Sequence, residues 1–194
     1  VLDLKSVDYK NIVNVIKSKE ILFTVETSPS YGKYHFDGHR NCIFSCEPDE
    51  SKNLRNICPK CGTKLTIGVL NRVEELADRA DGYRPKGVAD FKSLLPLMEL
   101  IALHYGQAVS SKKVLSLHNS FIERFGNEFN ILIDVDRKDL EKIDEKLADL
   151  VIKNREGKIH VVPGYDGVYG KPMLSVKPVE NVPIKKRQKS ISDF

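Results

Sequence analysis

Long apolar runs are absent from this chain. Nothing in it approaches the roughly 18 uninterrupted apolar residues of a membrane-spanning helix, so no membrane partner is expected. Val1-Leu2-Asp3-Leu4-Lys5 is already mixed in polarity, and no secretory leader is expected there. Cysteine is scarce, four in 194 residues, and all four fall between positions 42 and 61. Assigned to a metal, they leave no thiol for disulfides, which points to a reducing cytosol. An excess of positive charge is missing from the body of the chain. Residues 171–194 hold six cations against two acids and account for the whole net charge of +4. A formally neutral body does not read as a general nucleic-acid sponge, so any such contact must come from local patches. No internal repeat is visible. The chain opens on Val, and it is expected to be a piece of a longer protein.

What is present begins with Cys42, Cys46, Cys58 and Cys61, spaced C-x3-C-x11-C-x2-C. The second pair lies in the turn Cys58-Pro59-Lys60-Cys61-Gly62. Such a turn brings two thiolates to one ion, and its glycine lets backbone N–H groups face the sulfurs. Four thiolates make a closed tetrahedral zinc site, structural because no position stays open for a substrate or an activated water. Its work would be to hold together a module too small for a core of its own.

Hydropathy patterning adds a mixed helix-and-strand reading. A helix is predicted over 8–18 with Asp8 in its first turn, then a buried strand over 21–26. Residues 64–70 read as a short strand of the zinc module, followed by a helix over 72–77 and a break at Asp81–Pro85. Helices are predicted over 94–104, 111–125 and 136–153, the first two stopped by Gly106 and Gly126, the third capped by Asp136. Residues 131–133 fit either a short strand or a buried turn. A strand over 158–162, a turn over 163–167 and a return over 168–171 make a hairpin. From Pro172 the composition shifts to Pro, Lys and Ser, and 176–194 is expected to be a disordered basic tail.

Several side-chain groups carry candidate chemistry. Arg40, Lys60, Lys64 and Arg72 flank the cysteines and suit phosphates, or are ordinary solvated charges. His35, Asp37 and His39 alternate along an extended loop, as ligands of a hydrolytic metal half-site or as groups that hydrogen-bond the loop or touch a substrate. Asp134-Val135-Asp136 fails as a calcium loop, because position six is Asp139 where glycine is needed. Pro163–Gly170 packs three glycines and two tyrosines, Tyr165 and Tyr169, which suits stacking on bases. Gln188, Ile191 and Phe194 match the pattern of a peptide that docks on a sliding clamp, without its usual final aromatic.

Three segments together resemble one family: Gly32–Cys42, Cys58–Arg79 and Pro163–Gly170. Over residues 1–175 the chain is similar to the C-terminal part of endonuclease Q, a DNA-repair nuclease with an N-terminal PHP (polymerase and histidinol phosphatase) domain. The resemblance implies an α+β chain: the terminal αβ piece of a PHP barrel (1–30), a four-cysteine zinc module (31–75), a helical domain with a C-terminal hairpin (76–175), and a flexible tail with a clamp-binding peptide (176–194). It implies an endonuclease that nicks 5′ of deaminated bases or abasic sites at the nucleoid, with damaged DNA and the sliding clamp (PCNA) as partners. No H-x-H motif of the PHP metal centre occurs here, so catalytic Mg, Mn or Zn is expected only upstream and no catalytic residue is assigned. Nucleic-acid contacts are expected from His35, Asp37, His39, Arg40, Lys64, Arg72, Tyr165 and Tyr169, and zinc from the four cysteines.

Overall fold

Residues 1–174 are described in the structure, a computed structural model; the clamp-peptide residues and the tail over 176–194 lie outside them. Helix α1 (Tyr9–Ser18) starts where Asp8, in extended backbone, accepts a hydrogen bond from the Asn11 N–H. Strand β1 (Phe23–Glu26) follows. Its partner is not near in sequence: β4 (Asp90–Ser93) lies parallel to it, with Phe23 opposite Asp90 and Glu26 opposite Ser93. β4 was not expected. Its Asp-Phe-Lys-Ser sequence is short and polar, and only its place beside β1 makes it a strand. The segment between them, 27–89, is therefore the crossover that every parallel pair requires, and it contains the cysteines.

Within that crossover, β2 (Asp37–His39) and β3 (Phe44–Cys46) form an antiparallel ladder, Asp37 opposite Cys46 and His39 opposite Phe44. Short α2 (Pro48–Asn53) fills the gap between the cysteine pairs, and α3 (Val69–Leu76) follows. The strand expected over 64–70 reduces to two isolated bridges, Lys64 with Ile57 and Thr66 with Gly38, because α3 begins already at Val69.

The main core belongs to the helices after β4: α4 (Leu97–Tyr105), α5 (Lys112–Phe125), α6 (Glu128–Ile133), α7 (Arg137–Glu141) and α8 (Glu145–Arg155). Leu97, Leu100, Ile101, Val114, Phe121, Ile131, Leu140, Leu147 and Val151 are wholly buried there. Residues 131–133 are helical. The helix expected over 136–153 breaks into α7 and α8, because extended Asp144 caps a new start by accepting from the Leu147 N–H. Arg155 closes the unit by donating to the carbonyls of Ile131, Leu132 and Val135 at the end of α6. Asn154, buried, donates to and accepts from the Leu95 backbone at 3.0 Å each way, tying α8 to the end of β4. Last come β5 (His160–Val162) and β6 (Lys171–Met173), antiparallel, joined by a loop longer than the turn expected. Among the described residues, no helix is long and apolar enough to cross a membrane.

Candidate metal centre and nucleic-acid interface

Two turns build the metal group. The first leaves β2 at His39, runs through a tight helical turn over Arg40–Cys42 and reverses at Ile43, whose φ is 49°. The second is the Cys58–Gly62 turn, closed by Gly62 N–H to Cys58 O at 2.9 Å and Cys58 N–H to Thr63 O at 2.7 Å. Gly62 sits at φ 73°, in the left-handed region that suits glycine. The Lys60 ammonium fastens one turn to the other, donating to the Cys42 carbonyl at 3.0 Å.

The side chains that meet are His39, Cys42, Cys58 and Cys61, whose ligand atoms all lie within 4.8 Å of one another. The Cys61 sulfur is 3.2 Å from His39 Nδ1 and 3.0 Å from the Thr63 hydroxyl. Three sulfurs and one imidazole nitrogen are a regular donor set for structural zinc, and zinc–sulfur bonds of about 2.3 Å need sulfurs roughly 4 Å apart. The residues fit. Their proton chemistry already differs: hydrogen bonds, first from Thr63, bring the Cys61 thiol down to about 6, while its bond to Cys61 and burial hold Cys42 near 11.

Cys46, expected as the fourth ligand, lies outside this group of four but packs in one cluster with Cys58, and His39 stands with the other three cysteines. Cys46 stands on β3 opposite Asp37, 3% exposed, packed with Cys58 and Leu65. Burial, then the nearby Glu50 and Asp37 carboxylates, push its thiol up to about 11.

Asp37, expected to touch nucleic acid or metal, is wholly buried and cannot do so. Its carboxylate accepts from the Ser51 hydroxyl, the Gly68 N–H at 2.5 Å and the Asn71 amide at 2.7 Å, and so pins β2, α2 and α3 together. His35 is half-buried, stacked on Phe36 with Nε2 3.4 Å from the Ser30 hydroxyl, and burial lowers its pKa. His35, Asp37 and His39 therefore do not converge on an ion.

The loop Pro163–Gly170 docks on the module. Phe36 N–H donates to Gly164 O at 2.9 Å, and Gly167 N–H to Lys33 O at 2.9 Å. Asp166 accepts from the Arg40 backbone N–H and from the Thr66 hydroxyl, each at 2.7 Å. The Tyr165 ring lies over Gly38, where any Cβ would come within 2.5 Å of it. Tyr165 thus serves packing and is not free to stack on a base, whereas Tyr169 is 60% exposed. Arg40 and Lys64 are exposed; Arg72 is exposed too but paired with Glu75 at 2.7 Å. The exposed neighbours of Tyr169 that sequence reading passed over are Lys33 and Tyr34. Their signal was a cation next to an aromatic inside the Gly32–Cys42 stretch. A cleft of about 750 Å³ opens where module, strand ends and helical unit meet, lined by Ser28, Phe36, Glu47, Ser93, Lys158 and His160.

Residues 96–158 match a family described as the MJ0043 C-terminal domain. The chain is 37% identical over 171 residues to uncharacterized protein MJ0043 of Methanocaldococcus jannaschii, covering 88% of this chain and 21% of that one. It is 27% identical over 175 residues to uncharacterized protein YqxK of Bacillus subtilis, covering 41% of it. Among solved structures it resembles the lesion-specific endonuclease PfuEndoQ of Pyrococcus furiosus, at TM-score 0.79 and 32% identity, over 88% of this chain and 43% of that one. An endonuclease Q bound to a 27-mer duplex with an abasic lesion at its active site matches at TM-score 0.78 and 32% identity, over 90% and 44%. The chain shares its fold and about a third of its aligned residues with part of endonuclease Q, and it spans less than half the length of these relatives.

Proposed function

We propose that this chain is the DNA-binding and positioning portion of an endonuclease that nicks 5′ of deaminated bases or abasic sites. In this reading the chain alone does not hydrolyse DNA, and the catalytic Mg, Mn or Zn belongs to a PHP domain outside residues 1–194. The observation that carries the reading is the shared fold with a lesion-specific endonuclease at 32% identity over 88% of this chain. The metal group is consistent with it: three thiols and an imidazole form a closed structural set with no ligand position for water. Zinc there holds the module that carries Arg40 and supports the docked loop.

The experiment is binding of the zinc-loaded chain to duplexes carrying uracil, hypoxanthine or an abasic site. Measurable affinity at low salt, falling as salt rises because phosphate contacts release counterions, is the expected result. No affinity for any of the three would end the DNA reading. Metal-dependent nicking by the chain alone would overturn its inactivity. The second part of the reading, docking of Gln188, Ile191 and Phe194 on a sliding clamp, rests on sequence pattern; clamp binding that survives removal of residues 185–194 would refute it.

A further inference from the structure

We propose that Tyr34, Lys33 and Tyr169 form a stacking platform for an unpaired nucleotide of DNA, with Arg40 beside it for a phosphate. The proposal rests on the DNA-binding reading above and names the surface that performs it.

Tyr34 and Tyr169 are 45% and 60% exposed, large ring faces left in water by the fold. One ammonium reaches both: Lys33 Nζ lies 5.6 Å from the Tyr34 ring centre and 5.7 Å from that of Tyr169. Tyr31 lies beside Tyr169, with centroids 6.5 Å apart. The backbone under these side chains is fixed from two directions. Gly167 and Gly170 N–H groups donate to the carbonyls of Lys33 and Tyr31, and the Val69 N–H donates to that of Tyr34. A Cβ on Gly167 would lie 3.4 Å from the Arg40 guanidinium and 3.7 Å from the Tyr34 hydroxyl, so both flank the same turn.

Among the described residues, neither Lys33 nor Arg40 forms a side-chain ion pair, unlike Arg72 with Glu75, although the Arg40 charge also acts on Asp166. The nearby Asp166 carboxylate is occupied by the Arg40 N–H and Thr66. Exposed rings beside free cations are the arrangement that binds single-stranded nucleic acid, with bases on the rings and phosphates on the cations. A duplex hides its base faces, so the platform requires a nucleotide already out of the stack. A lesion site supplies one at least expense.

The test uses the full zinc-loaded chain and a duplex with one abasic site flanked by the fluorescent base 2-aminopurine. Wild type should bind and quench the probe. Tyr34→Ala combined with Tyr169→Ala should weaken binding about tenfold or more and remove the quenching, as loss of base stacking does. The double Tyr→Phe variant keeps the ring faces and should retain both signals. Lys33→Ala should lower the slope of log affinity against log salt by about one. Unchanged zinc content and melting temperature in the alanine variant keep a folding defect apart. An alanine variant that binds and quenches like wild type overturns the platform and leaves the DNA reading standing. A wild-type chain that binds no abasic duplex at low salt defeats the DNA reading itself.

Discussion

Asp37 and Cys46 face each other across one ladder, and both had been read as site residues. Asp37 is wholly buried and belongs to the frame, and Cys46 is buried in one cluster with Cys58. Asp37→Ala would strand the Ser51 hydroxyl, the Gly68 N–H and the Asn71 amide in the interior, and should lower stability by about 3 kcal/mol in urea unfolding. Zinc content separates the two candidate fourth ligands. His39→Ala should lose most of the bound zinc, as Cys58→Ser does, whereas Cys46→Ser should retain one zinc per chain and lose only packing. Native mass spectrometry reads the difference, and zinc lost from Cys46→Ser but kept by His39→Ala would restore the four-cysteine site. Sequence spacing made the cysteine window plain. The nearness of His39 to Cys61 follows from a left-handed Ile43 that no side chain announces.

At the scale of elements, periodicity located α1, α4, α5 and α8, where apolar side chains repeat at helical intervals. It failed where partners decide. β4 is polar and needs β1; the break before α8 needs the Asp144 cap. The glycines and tyrosines of the loop after β5 mark it as more than a plain turn, but its contacts with residues 30–40 are not legible in them. One carboxylate reinforces the backbone bonds among those contacts. Burial pushes Asp166 up, but the Arg40 N–H and the Thr66 hydroxyl outweigh it and hold its pKa below the usual 3.8. A depressed carboxylate contributes fully above the unfolded value and is lost as pH falls through the folded one. The docked loop should therefore loosen in acid below about pH 4, and Asp166→Asn should flatten the stability profile in that window, followed by Tyr fluorescence. A profile unchanged by the substitution would mean the carboxylate is not what holds the loop.

In the whole molecule two cores coexist. The larger lies among α4–α8; the smaller consists of Cys46, Cys58 and Leu65 with Cys42 and Phe44 against them. So small a cluster cannot hold residues 37–71 without metal. Chelation should abolish amide-exchange protection in that stretch while protection over 97–155 persists. Loss of protection in both at once would mean a single cooperative unit. This division was legible early, since the cysteine spacing and the helical periodicities occupy separate stretches of chain. The joint between them was not, because it is written in backbone contacts.

The Arg40–Asp166 bond joins residues 126 apart in sequence. A ribosome would deliver the zinc turns long before the loop that covers them, and closing so long a loop is slow. A nascent chain would thus hold its metal ligands well before the loop that covers them is made.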